Sequence, residues 1–109
     1  MGSINEYRKI IREVLTEYAD LPRGNFQSET IVDEKTDRYL LMVQGWQNVK
    51  RIHQCVAHIE IIDGKIWIQH DGTEPGVATE LVEAGVSRDQ IVLAWQHPFN
   101  RQLGEFAAA

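Results

Sequence analysis

Residues 58–74 read HIEIIDGKIWIQHDGTE, and how the Asp63-Gly64 pair is read decides the fold. Asp-Gly flanked by alternating apolar residues signals a two-residue hairpin turn. That turn pairs Ile62 with Lys65, Ile61 with Ile66, Glu60 with Trp67 and Ile59 with Ile68. Further out it pairs His58 with Gln69 and Ala57 with His70. Side chains alternate faces along a strand, so Ile59, Ile61, Ile66 and Ile68 share a core side. His58, Glu60, Lys65, Trp67 and Gln69 share the other. A three-residue bulged loop would set Lys65 and Trp67 beside Ile61 and Ile59, a poorer match. In the simple register the His58 and His70 rings point to opposite faces. They then cannot share a metal ion, whose nitrogen ligands converge at about 2.0–2.1 Å. Glu60 and Lys65 read as sheet-surface charges, and His70 as a residue at the edge of the core.

Before this hairpin, Ile4, Tyr7, Ile10, Ile11, Val14, Leu15 and Tyr18 recur at helical spacing. They predict a helix over 4–20, opened by the capping pattern Ser3-x-x-Glu6 and ended by Leu21-Pro22-Arg23-Gly24-Asn25. The period then changes to two. Residues 27–34 (QSETIVDE), 38–47 (RYLLMVQGWQ), 50–62 (KRIHQCVAHIEII) and 65–70 (KIWIQH) read as strands. The polar turn Lys35-Thr36-Asp37 joins the first two. A second helix is predicted over 74–84, with Thr73 as N-cap, Pro75 in the first turn and Gly85 just past the end. Val77, Leu81 and Val82 supply its buried face. Ser87-Arg88-Asp89-Gln90 resembles a one-turn capping box. IVLAW at 91–95 reads as a short buried strand, broken by His97-Pro98. The order predicts an α+β fold: a mainly antiparallel sheet of about five strands, an N-terminal helix, and a second helix before the last strand.

The chain has 109 residues, 43% apolar and 25% charged. That is the size of one domain, able to bury roughly two-thirds of its unfolded surface. The single cysteine, Cys55, excludes an internal disulfide framework and fits a reducing cytoplasm. No apolar run is long enough to span a bilayer, and MGSINEYRKIIREVL lacks the continuous apolar core of a signal peptide. Glu6 stands where a myristoylation pattern needs Ser or Thr. Sixteen acidic against eleven basic residues give a net charge of −5. The basic residues are scattered, which is weak support for binding phosphate backbones. Arg8, Arg12, Lys50 and Arg51 are the residues that would carry DNA contact.

Motifs for chemistry are sparse. There is no CxxC, HExxH, GxxxxGK[ST], GxSxG or GxGxxG. His53 and Cys55 lean to one face of one strand, but a Cys–His pair needs an exposed thiolate and a third, orienting group. Glu80 and Glu83 read as a solvated helix face. Asp71-Gly72-Thr73-Glu74 reads as a turn and cap before it reads as an anion cradle. His97 would approach Asp71 or Glu74 only if the last strand borders the hairpin's end. A small metal-dependent or hydrolytic enzyme would have to use His53, His58 or His97. Trp46, Trp67 and Trp95 remain as contact candidates, since aromatics outside a core are enriched at interfaces.

The string RxHxCxxHIxIxxGKIWIQxxGTExGxAxELVxxGVxxxxIVLAW, with the early YxxIIxxxLxxYA, resembles the XisI-like family. That family is named for a factor controlling excision of the fdxN element in heterocyst-forming cyanobacteria. The likeness runs from about residue 4 to Glu105-Phe106-Ala107. Trp95 stands where the family pattern has Phe, and Gln54 where a small residue is usual. The resemblance implies an accessory protein acting with a site-specific recombinase and with a companion, XisH. It brings no catalytic residue, metal or cofactor. The sequence therefore predicts a non-enzymatic regulatory protein working by protein–protein contact. Its expected partner surface is His58, Glu60, Trp67 and Gln69 together with Asp71, Thr73, Glu74 and Arg101. Self-association through an open strand edge, giving a homo-oligomer, is a further expectation.

Overall fold

A computed structural model describes residues 3–22 and 24–109. Met1, Gly2 and Arg23, the last being part of the stretch predicted to end the first helix, lie outside the described residues. Helix α1 runs Ile4–Ala19, and the Ser3 hydroxyl accepts the Glu6 backbone N–H at 3.1 Å, as a Ser N-cap does. Its apolar stripe buries Tyr7, Ile11, Val14, Leu15 and Tyr18.

The sheet is built by hairpins. Strands β1 (Gln27–Asp33), β2 (Arg38–Gln47), β3 (Lys50–Ile62) and β4 (Lys65–Asp71) pair antiparallel in sequence order. Asp63 and Gly64 both take positive φ (51° and 80°), the type I′ geometry that matches strand twist. Strand β5 (Ile91–Leu93) joins β4 in parallel, giving the order β1-β2-β3-β4-β5. A parallel neighbour needs a long crossover. Helix α2 (Val77–Glu83) and a 3-10 turn (Arg88–Gln90) provide it.

Both α1 and α2 cover the same sheet face. There Tyr39, Leu41, Ala57, Ile59, Ile61, Ile66, Ile68 and Ile91 meet Ile11, Leu15, Val77 and Leu81 in one cluster. Each fully buried aliphatic side chain in it contributes roughly 1.5–3 kcal/mol. At Gly45 the chain entering β1 passes so close that a Cβ would sit 2.6 Å from the Phe26 ring and 3.0 Å from the Asn25 carbonyl. Only glycine leaves room for that approach.

Two bulges break the simple alternation. Val56 is unpaired between Leu41–Ala57 and Met42–Cys55. Gln69 is unpaired between Ile59–Ile68 and His58–His70. The predicted register therefore holds from Ile62–Lys65 to Ile59–Ile68 and then slips by one. Past a bulge, the strand's side chains change faces. Asp71 now opposes the buried Ala57. Its carboxylate accepts the Val77 N–H at 2.7 Å and the Thr73 N–H at 3.0 Å.

That bond corrects the predicted start of the second helix. Thr73 is not the N-cap and Pro75 is not in the first turn: α2 begins at Val77 after Gly76, and Asp71 caps it from the strand. Gly85 follows the helix with φ 110°, as predicted. Past β5, His97-Pro98 does not simply break the chain but starts helix α3 (Pro98–Leu103). The His97 Nδ1 accepts the Phe99 N–H at 3.1 Å, and proline sits where its missing donor costs nothing. Ala107 then returns beside β5, its N–H donating to the Ile91 carbonyl at 2.9 Å. No helix among the described residues is long and apolar enough to cross a membrane.

Helix α1 is tied to the β1–β2 turn by a charged fork. Arg8 Nε and Nη2 donate to the two Asp37 oxygens at 2.7 and 3.1 Å, and the Tyr39 hydroxyl donates to Asp37 at 3.3 Å. The Arg8 hydrogen bond holds the Asp37 carboxyl below its ordinary range, against the opposing pull of burial. Burial, with Asp37 alongside, pushes Tyr39 up to about 12.

Two expected outcomes follow from these bonds. A depressed folded-state pKa stabilises above the unfolded value of 3.8 and is lost as pH falls through the folded value. Asp37→Asn should therefore lower Tm at neutral pH, with the gap to wild type closing on acidification below about pH 4 in circular-dichroism melts. Asp71→Ala should cost about 1 kcal/mol in urea unfolding at unchanged m-value. An unaltered midpoint would mean that the cap carries no weight.

Candidate functional site

The sheet face opposite α1 and α2 carries the polar residues of the hairpins. Arg38 pairs with Glu60, Glu60 with Trp67, and Trp67 with Val92, forming one row across four strands. The next rows are Leu40–His58–His70, Met42–Cys55, Gln44–His53 and Trp46–Arg51. Glu60 is 17% exposed in its side chain and sits between two partners, His58 Nε2 at 3.1 Å and Arg38 Nε at 3.4 Å. Arg101, on α3, lays its guanidinium over the Trp67 ring 5.5 Å from the centroid. Such stacking contributes on the order of 0.5–1 kcal/mol at a partly exposed site. At the far end, Arg51 stacks on the exposed Trp46 at 5.4 Å.

The bulge at Gln69 overturns the expectation that His58 and His70 point to opposite faces. Directly paired residues of antiparallel strands project to the same side, and His58 pairs with His70, not with Gln69. Likewise Ala57 pairs with Asp71, not with His70. His70 is exposed and is not at the edge of the core. Among the described residues no three His, Cys, Asp or Glu side chains group as metal ligands. His58 thus lies beside Glu60, with His70 as its cross-strand neighbour on the same polar surface.

Of the predicted surface residues, His58, Glu60, Trp67 and Arg101 are brought together on this face. Gln69 is the bulge residue. Asp71 and Thr73 lie in the α2 cap, and Glu74 lines a shallow cleft with Tyr18, Leu21, Pro75 and Glu80. Glu83 is exposed, and His97 is spent on capping α3. His53 and Cys55 do share one face, as predicted. The Cys55 thiol donates to the Ala57 carbonyl at 3.2 Å, and burial raises its pKa, so it is held as the thiol and not the thiolate. Of the basic residues, Arg8 and Arg12 are paired with Asp37 and Glu34, while Lys50 and Arg51 lie at the exposed tip of the β2–β3 hairpin.

Sequence reasoning missed the apolar part of this face: exposed Ile31 and half-buried Leu40 and Met42. A signal was present. Residues 39–43 (YLLMV) are apolar at both parities, whereas a strand with one wet face alternates.

The XisI protein family model matches residues 1–108. The fold is similar to the crystal structure of an XisI-like protein from Anabaena variabilis, at 39% identity and a TM-score of 0.86, over 95% of this chain and 97% of that one. It is also similar to the fdxN element excision controlling factor XisI from Anabaena variabilis, at 35% identity and a TM-score of 0.78, over 96% and 97% of the two chains. Among curated proteins no match is found. With a family model spanning all but its last residue, and solved relatives above one-third identity over nearly their full length, this chain belongs to the XisI family.

Proposed function

We propose that this chain is a non-enzymatic accessory protein that controls excision of a DNA element by contact with a companion protein, an XisH-like protein or the recombinase itself. Support comes first from its relative in Anabaena variabilis, which bears the name of an excision controlling factor for the fdxN element. The observation that carries the contact reading is the outer sheet face. Glu60, His58, Arg38, Trp67 and Arg101 form a connected polar and aromatic cluster beside the apolar Leu40 and Met42. Aromatic and arginine side chains in such a setting are the groups that anchor protein interfaces. The chemistry of the same face gives little support to catalysis, since burial raises the pKa of its Cys55 thiol and the His58 imidazole is engaged with the Glu60 carboxylate. Direct DNA contact has less support, because Arg8 and Arg12 already neutralise acidic neighbours of their own chain.

Co-expression with an XisH-like protein from the same host should yield a complex that co-purifies. Arg101→Ala should weaken that complex about tenfold or more, as loss of an anchoring arginine does, in calorimetric titration. Its Tm should fall by no more than several degrees, because the stack on Trp67 contributes on the order of 0.5–1 kcal/mol. A chain that never co-purifies, or that binds equally well without Arg101, counts against this surface.

A further inference from the structure

We infer that β1 is a self-pairing edge through which two copies of this chain join their sheets antiparallel about a two-fold axis at Thr30. The inference is independent of the companion-protein reading. It starts from an asymmetry between the two ends of the sheet. The β5 end is closed by Ala107, bonded to Ile91 and bridged to Val92. The β1 end is open: β1 pairs only with β2, over seven residues in unbroken register. Soluble chains commonly blunt such an edge with a bulge, a proline or charged side chains, lysine above all. QSETIVD has no bulge, proline or lysine, and carries only the two carboxylates Glu29 and Asp33.

The strand is also its own complement. Antiparallel pairing centred on Thr30 sets Gln27 opposite Asp33 of the second copy, Ser28 opposite Val32, Glu29 opposite Ile31, and Thr30 opposite Thr30. Neither acidic residue meets its own copy. On the α1 side of the strand, Thr30 pairs with Leu41 of the core. Its hydroxyl and that of Ser28 are buried without a hydrogen-bond partner within the chain. A buried hydroxyl left unpaired is costly, and the two-fold brings one Thr30 hydroxyl against the other, a favourable cross-strand pair. On the opposite side, Ile31 is 44% exposed in the single chain and gains cover from the second copy. The edge is about 23 Å long, and pairing it would give one continuous ten-stranded sheet.

The register makes a prediction that depends on the sign of a charge. Sedimentation equilibrium of the wild-type full chain should show a dimer. Ile31→Glu places a carboxylate opposite Glu29 of the other copy, twice by symmetry, and should raise the dimer Kd about tenfold. Ile31→Lys, equally polar, should leave dimerisation at or above the wild-type level. The double variant Ile31→Glu with Glu29→Lys should restore it. Circular-dichroism melts of each variant confirm a folded chain, since position 31 is exposed. A monomeric wild type, a dimer indifferent to Ile31→Glu, or equal effects of Glu and Lys would each overturn the pairing.

Discussion

One extra residue in β4, Gln69, governs how the two faces of this sheet are divided. Up to Ile68 the strand alternates as a simple hairpin arm, with isoleucines toward the helices and Trp67 away from them. The unpaired Gln69 then turns the remaining side chains over. His70 leaves the core side and joins His58. Asp71 takes its place, and its carboxylate finds the free N–H of Val77. Without the slip, a histidine would lie against the apolar cluster and α2 would start with no side-chain cap. A bulge locally sacrifices ladder hydrogen bonds, and the carboxylate-to-backbone bonds offset that loss.

The division has consequences at both faces. The inner face is almost wholly aliphatic, and its charged fixtures among the described residues lie at its margins: the Asp71 carboxylate under α2, and the Arg8–Asp37 fork with the Tyr39 hydroxyl attached. The fork is partly exposed, so its charges keep some hydration and escape the full penalty of burial. The outer face is polar where β3 and β4 pair and apolar at Leu40 and Met42 of β2. Helix α3 covers only its β4–β5 end, where Arg101 lies on Trp67 and Val92 is buried. A sheet face that combines half-buried aliphatics, a stacked arginine and a partnered carboxylate has the make-up of a contact surface, with an apolar centre and a charged rim.

The same geometry weighs on the chemistry open to this chain. A thiol hydrogen-bonded to a backbone carbonyl and shielded from water is a poor nucleophile. The Glu60 carboxylate is already paired with Arg38 as well as His58. Control by contact fits these residues better than bond-making does.

By itself, the sequence determined every element but α3, and most of their limits. The stripe from Tyr7 to Tyr18 and the Ser3 cap specified α1. The turn at Asp63-Gly64 specified the hairpin and its register through Ile59–Ile68, because φ, ψ and hydrophobic period are local properties. The strands at 38–47 and 50–62 were legible for the same reason, though which strands pair was not. What only the tertiary structure decided was non-local. The slip at Gln69 depends on Asp71 reaching a helix six residues away, which no local pattern encodes. Helix α3 was hidden because a histidine-proline pair can either stop a strand or start a helix, and only the packing of Arg101 against Trp67 and of Ala107 against β5 selects the second. The placement of His70 opposite His58 on the outer face follows from that slip. It became visible only when cross-strand partners were known, since a single unpaired residue reverses every side chain beyond it.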